Sequence, residues 1–235
     1  MPKKLVFHNP QFEYVVRETL NIYDRSVLTT DALSATNLDL TTFVFSNEDI
    51  DTLSYFINLE RLRIISCACP PDFLKSLSNL KELDIDYFGT CNGFDFDWIK
   101  HLKNLCSLWV SGGDYSNMNL VNSDALMFLP NLNKLYFHEF GGVDLSPLKQ
   151  MQQLEHFFCG YADDVRNIDA LKYLTNLKSL ELVAFDVNNL DFLDNFPDDI
   201  ELTLSLNICG NANLDKLSRF KNSDIYEMKV NGKYI

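Results

Sequence analysis

The 235-residue sequence contains no uninterrupted apolar run near the roughly 18 residues that a membrane-spanning helix needs. Basic residues are in the minority: 20 Lys and Arg stand against 33 Asp and Glu, a formal net charge of -13. A field of that sign repels phosphate backbones and anionic lipid. Neither nucleic acid nor a membrane is an expected partner, whereas a basic protein surface is compatible. Much of the acidity serves solubility alone. The six cysteines (67, 69, 91, 106, 159 and 209) include no Cys-x-x-Cys pair. The two-residue spacing of Cys67 and Cys69 suits neither a zinc finger nor a redox dithiol. Free thiols in a reducing compartment are expected. The start, MPKKLVFHNPQFEYVV, has basic residues but no continuous apolar segment behind them, because Asn9, Pro10 and Gln11 interrupt. No signal peptide is expected, and the location expected from these features is cytoplasmic. Gly-rich phosphate loops, His-Glu-x-x-His and Gly-x-Ser-x-Gly are also missing, so neither an enzyme nor a cofactor is expected.

What is present is repetition. LKNLCSLWV (102–110) and LTNLKSLEL (174–182) match at every leucine, and both carry Asn before the second one. Further copies end at Ile64, Ile85, Phe137 and Cys159, with weaker ones around Leu38, Leu202 and Met228. Successive copies lie 21 (Leu62 to Leu83) to 27 (Leu108 to Leu135) residues apart, inside the 20–29 range of leucine-rich repeats. A second element recurs in step: Asp51, Asp72, Asp97, Asp124, Asp169, Asp191 and Asp215, with Ser146 as a variant, each precede apolar residues spaced for one helical face. Aspartate or serine at an N-cap satisfies orphan amide donors and suits the positive end of the helix dipole. The spacing therefore predicts strand, loop, short capped helix or 3₁₀ turn, and tight return. A single such unit cannot bury its apolar face, so the units must stack. The fold class is α/β: a right-handed leucine-rich repeat solenoid with a parallel sheet on the concave face and short helices or 3₁₀ turns on the convex face.

The L-x-x-L-x-x-L-x-L pattern followed by a capped turn resembles bacterial leucine-rich repeat proteins of the internalin type. The opening, FHNPQFEYVVRETLNIYDRSVLTTDALSATNLDL, is similar to the helical cap that precedes the first repeat in that family. The resemblance implies a cap over 1–36, repeats over 37–222 and a capping strand over 223–235. Asn9-Pro10 would start a helix running to about Leu20, and Thr30-Asp31 a second, shorter one. The family usually has Asn five residues after the first strand leucine. Those positions here are Cys67, Phe88, Gly113, Phe140, Ala162, Phe185 and Asn207, so packing should replace most of that hydrogen-bonded ladder. No wall-anchor motif is present.

Strand alternation sorts the outward residues into columns. The central column reads Asp39, Arg63, Asp84, Trp109, Tyr136, Phe158, Glu181 and Thr203. One flank reads Asn37, Arg61, Glu82, Ser107, Lys134, His156, Ser179 and Glu201. The other reads Thr41, Ile65, Asp86, Ser111, His138, Gly160, Val183 and Ser205. Trp109, Tyr136 and Phe158 should form an aromatic stripe, with His138, His156 and Tyr161 beside it. Contiguous exposed aromatics mark docking surfaces on soluble proteins; alternatively, the rings stack on one another and stabilise the sheet. The two longest repeats carry their extra length in GTCNGFDF and GGDYSNMNLVNS, loops that would rise along one rim beside Trp109. Arg61 and Arg63 face Glu82 and Asp84 as a surface ion-pair cluster. Asp84, Asp86, Asp95 and Asp97 fail the spacing of a calcium loop. His138 and His156 lie in opposite columns with no evident third metal ligand. Cys159 faces the core, where a thiol is inert.

The function these features imply is non-enzymatic recognition of a protein partner by a monomer, through the concave face. One alternative is an acidic inhibitor or immunity-type protein that neutralises a basic enzyme or toxin. Another is a secreted effector or adhesin.

Overall fold

Leu62 and Ile64 are fully buried while Arg61 and Arg63 are exposed. That is the two-residue period of a strand with one face on a core. The computed structural model describes residues 1–45, 47–66, 72–87, 94–113, 118–210 and 213–234. The same alternation recurs along one large sheet. Its strands are β1 (Asn37–Phe45), β2 (Arg61–Ser66), β3 (Glu82–Tyr87), β4 (Ser107–Ser111), β5 (Lys134–His138), β6 (His156–Gly160), β7 (Ser179–Val187) and β8 (Glu201–Ile208). Each pairs in parallel with the next, in sequence order. Between strands the chain returns through short 3₁₀ turns, such as Phe96–His101, Ser123–Phe128 and Ile168–Tyr173. The product is an open leucine-rich repeat solenoid with its leucines stacked inside.

Three details differ from the sequence expectation. In four turns the cap lies two residues earlier than expected, and the turns with Asp124 and Asp169 as the expected caps have no side-chain cap hydrogen bond among the described residues. Asp95, Asp144, Asn189 and Asn213 accept the backbone N–H groups of Asp97, Ser146, Asp191 and Asp215. The aspartates expected as caps at 97, 191 and 215 sit inside the first turn, where a negative charge still suits the dipole. In β1, Ile65 pairs with Val44 rather than with Thr41, because the chain bulges between Leu40 and Val44. The Asp39 carboxylate holds that bulge by accepting from both the N–H and the hydroxyl of Thr41. At the far end, Ser223 and Ile225 of β9 (Asn222–Ile225) pair with Leu202 and Leu204, not Met228 and Val230. Lys229–Val230 and Lys233–Tyr234 instead form β10 and β11, an antiparallel hairpin, with β10 against the end of β8. The polar, exposed β9 suits a terminal rung with no further rung to cover.

Helix α1 (Pro10–Leu20) begins where Asn9 accepts the N–H groups of Gln11 and Phe12, and ends at Asn21 in the left-handed conformation. It buries Phe12 and Val16, with the Phe12 ring edge-on to Phe45 at 5.4 Å. Asp49, fully buried, fixes the segment before the helix. Its two carboxylate oxygens accept from the N–H of His8 (2.8 Å) and Asn9 (3.0 Å), and the Thr52 hydroxyl donates to the Val6 carbonyl.

The family's usual Asn ladder is largely absent, as expected: Phe140 and Ala162 are buried at those positions. Asn207 points to the surface, and the side chains at 67, 88 and 185 lie outside the described residues. A different amide ladder takes its place. The Asn before the second leucine of each repeat donates its side-chain N–H back to a backbone carbonyl of the preceding rung. The pairs are Asn58 to Leu33, Asn79 to Ile57, Asn104 to Ser78, Asn131 to Lys103 and Asn176 to Gln152, all at 2.8–3.0 Å. Gln153 makes the same contact to Leu129. Each bond joins two repeats that are separated in sequence and adjacent in space.

Candidate functional site

The register brings Asp84, Trp109, Tyr136, Phe158 and Glu181 into one line across five neighbouring strands, pointing away from the leucine core. The three aromatic residues do not run as a simple stripe. Their rings lean together into a plate. Trp109 stacks on Tyr136 (centroids 5.3 Å, 27° between planes) and on Phe158 (5.7 Å, 14°), although Phe158 lies two strands away. His138 joins from the flanking column, 5.9 Å from Phe158 and 6.1 Å from Trp109. All four residues are consequently half-buried rather than exposed. Stacking and surface presentation, posed as alternatives by the sequence, are therefore combined in one feature.

Tyr161 meets the plate edge-on, 5.3 Å and 73° from His138, and keeps 55% of its surface exposed. Its backbone is left-handed (φ 55°), as are Glu139 (58°) and Ala184 (61°) at the same point of the neighbouring rungs. Positive φ is uncommon for such residues and marks turns held by their surroundings. Here the amide of Tyr161 donates to the Val183 carbonyl and that of Glu139 to the Gly160 carbonyl. His156 is half-buried beside Lys134 and Ser179 in the opposite flank, and no ring contact among the described residues joins it to the plate. Its column flanks the stripe on the side away from His138, as the alternation predicts. The outward flank is also drier than alternation predicts, since Ser111, Val183 and Ser205 are buried.

The acidic residues around the plate divide into two sets. Towards the amino terminus, Arg61 forms a bidentate pair with Glu82 (2.7 and 2.8 Å), and Arg63 bridges Asp39 and Asp84 (3.0 Å each). These guanidinium groups, with Trp109 and Tyr136, line a groove of about 320 Å³. Nearer the plate, Glu139 lies 3.6 Å from Nδ1 of His138, and Asp86 and Glu181 form no ion pair with Lys or Arg among the described residues. Burial holds Glu181 above the ordinary carboxylate range. Burial and then the nearby Asp84 do the same for Asp86, which a hydrogen bond from Ser111 partly offsets. Burial, followed by Glu181, raises the Tyr136 phenol. Tyr226 is raised by burial and then by Glu181, which places a further aromatic residue near the same carboxylate. Sequence columns did not include Tyr226, because it follows directly on β9, with its N–H donating to the Leu204 carbonyl, whereas the last rung expected from the sequence is at Met228 and Val230.

The described parts of the two long repeats do not simply project from the rim. Phe94, Phe96, Trp98, Met118 and Leu120 are buried, and Phe94–Asp95 pairs in parallel with Leu120–Val121. Phe96 and Phe94 contact Phe137 and Phe140, so the inserted residues enlarge the core beneath the rim. The rest of both loops, 89–93 and 114–117, lies outside the described residues. Among the described residues no cluster of His, Cys, Asp and Glu has the geometry of a metal site, and no helix is long and apolar enough to cross a membrane.

No family model matches the chain, and no curated protein does. Solved structures share its fold. Internalin C2 of Listeria monocytogenes superposes with a TM-score of 0.73 at 20% identity, over 97% of both chains. An internalin (inlF) from the same organism gives 0.66 at 17% identity, over 98% of this chain and 73% of that one. The Drosophila Toll–Spätzle complex gives 0.54 at 15% identity, over 83% of this chain and 27% of that one. The chain has an internalin-like leucine-rich repeat fold.

Proposed function

We propose that this protein is a non-enzymatic recognition module that docks a protein partner on the plate formed by Trp109, Tyr136, His138 and Phe158, with Tyr161 at its margin. The observation that carries the reading is the plate's position. Four stacked rings lie on the outward face, in register across three strands, where a solenoid presents an extended surface. Rigid aromatics with few rotatable bonds supply most of the energy of protein interfaces. The fold similarity to a structure solved as the Toll–Spätzle complex is compatible with such a role. We place the protein in the cytoplasm as a monomer; cell fractionation and sedimentation test both points.

The test is affinity capture with the wild-type protein and the Trp109→Ala/Tyr136→Ala double variant, each checked for folding by circular dichroism. A partner retained equally by both proteins would exclude the plate as the docking surface.

A second reading, an acidic inhibitor of a basic enzyme or toxin, draws support from the net charge of -13. Capture by the net charge weakens steeply with salt, whereas docking held by the stacked rings and a few local charges weakens far less. An affinity that is flat between low and high salt would discard the inhibitor reading.

A further inference from the structure

We infer that the segment docked on the plate carries arginine side chains on both sides of an apolar centre. This inference rests on the concave-face reading and adds the chemistry of the occupant. The charge distribution across the sheet carries it. Asp39 on β1 and Glu82 and Asp84 on β3 are neutralised within the protein, by Arg61 and Arg63 of β2. From β4 to β8 the outward columns contain one Lys or Arg, Lys134, which faces the side of the sheet away from His138. Asp86 and Glu181 bracket the rings there, and neither forms an ion pair with Lys or Arg among the described residues. A half-buried carboxylate without a cation is costly, and an incoming cation offsets that cost.

The rings decide which cation. Arginine has a planar, weakly hydrated guanidinium that stacks on aromatic faces while its edge binds carboxylate; the compact, strongly hydrated ammonium of lysine does neither as well. The rings of Trp109, Tyr136 and Phe158 stack on one another but are only half-buried, so part of the cluster's surface is open to a guanidinium between Asp86 and Glu181. Spacing follows from the sheet. Asp86 lies on β3 and Glu181 on β7, four strand intervals apart, or about 19 Å at ~4.8 Å per interval. An extended chain rising ~3.3 Å per residue covers that distance in about six residues. The geometry therefore points to two arginines about six positions apart, with apolar residues between them lying on the plate.

An array of nine-residue peptides tests this. Positions 2 and 8 carry arginine, lysine, citrulline or glutamate, and the centre is varied among Leu, Ile, Val, Phe, Tyr and Trp. The full chain is the binding partner, and fluorescence anisotropy of labelled peptides is the readout. The best arginine peptides are expected to bind at least tenfold tighter than their citrulline counterparts, which keep the shape and lose the charge. Asp86→Asn with Glu181→Gln should abolish that preference. Asp124→Asn with Asp169→Asn, on the opposite side of the solenoid, removes the same net charge and should leave it intact. Equal binding of arginine and citrulline peptides, an equal effect of the two double variants, or no binding by any peptide overturns the inference. So does a dimer that sediments as such and is broken by Trp109→Ala, because a second copy would then occupy the face. The concave-face reading fails separately, and only if the native partner still binds the Trp109→Ala/Tyr136→Ala protein.

Discussion

The ring of Phe158 lies over Gly160, two residues further along the same strand. A Cβ placed at residue 160 would stand 2.7 Å from the Phe158 Cζ, closer than carbon atoms approach. The missing side chain at 160 is what lets the Phe158 ring lie down and stack with Trp109 and His138. The glycine serves space rather than an unusual backbone.

Gly160→Ala should therefore lift the Phe158 ring from the plate. The clash is with the far end of a side chain that can turn, so the stability cost should stay at the low end of the ~1–3 kcal/mol typical of overpacking. Trp109 emission should change, while Trp98, fully buried elsewhere, should supply a constant background. Unchanged emission from the variant would show that the ring does not depend on the space at 160.

Asp49 should prove one of the most sensitive polar positions. Asp49→Ala leaves the amides of His8 and Asn9 without their charged acceptor in a buried site. Hydrogen bonds to charged groups contribute about 1.5–3 kcal/mol each, so a loss of at least ~2 kcal/mol is expected by urea denaturation. Limited proteolysis should cut first within residues 1–25. An unaltered cleavage pattern would remove Asp49 as the anchor of the cap.

The amide ladder predicts a graded effect. Asn104→Ala or Asn131→Ala should each cost about 0.5–1.5 kcal/mol, the usual net contribution of one such bond. Asn133→Ala, which lies on the same loop outside the ladder, provides the comparison. If all three variants unfold at one denaturant midpoint, the ladder contributes nothing measurable.

Glu181 should link stability to pH in the direction opposite to the ion-paired acids. Its folded carboxyl is held above the usual range by burial, so the folded state keeps the proton to higher pH. Its contribution is favourable at low pH and is lost as pH rises from the unfolded value, ~4.3, through the raised one. Asp31 and Glu82 are lowered, first by their hydrogen bonds to Arg25 and Arg61. Their contributions are present above the unfolded value and disappear as pH falls. Glu181→Gln should accordingly be neutral or stabilising at pH 7 relative to its effect at pH 4. A variant that loses more stability at pH 7 than at pH 4 would contradict the sign.

Thiol labelling should separate the described cysteines. Burial pushes the Cys159 thiol up to about 12, so it remains protonated and shielded at neutral pH. Cys209 is exposed. Alkylation followed by peptide mass mapping should find Cys209 modified within the folded protein and Cys159 modified only after unfolding. Equal rates would mean that the β6 rung opens readily.

The repeat, the strand register and the outward columns were all legible in the sequence. They follow from local periodicity, since alternating burial leaves a record at every second residue. Leu62, Leu83, Leu108 and Leu135 could be aligned by eye, and alignment of the leucines also aligns Trp109 with Tyr136. The failures fall where periodicity stops. The bulge at Thr41 depends on a side-chain hydrogen bond from Asp39, and the cap positions depend on Asx geometry two residues upstream of the expected aspartates. The last rung moved to Ser223 and Ile225 because a terminal strand has no neighbour to require leucine.

What the sequence determined by itself is thus the solenoid and the face on which each strand residue stands, because burying a two-residue period against like neighbours allows one stacking. How outward side chains arrange themselves once there is set by tertiary contacts. The stacking of Trp109 with Tyr136 and Phe158, and the contrast between arginine-paired and unpaired carboxylates, depend on contacts between residues more than 20 apart in the chain. Side chains on a surface have several rotamers open to them, and neighbours across the sheet choose among these.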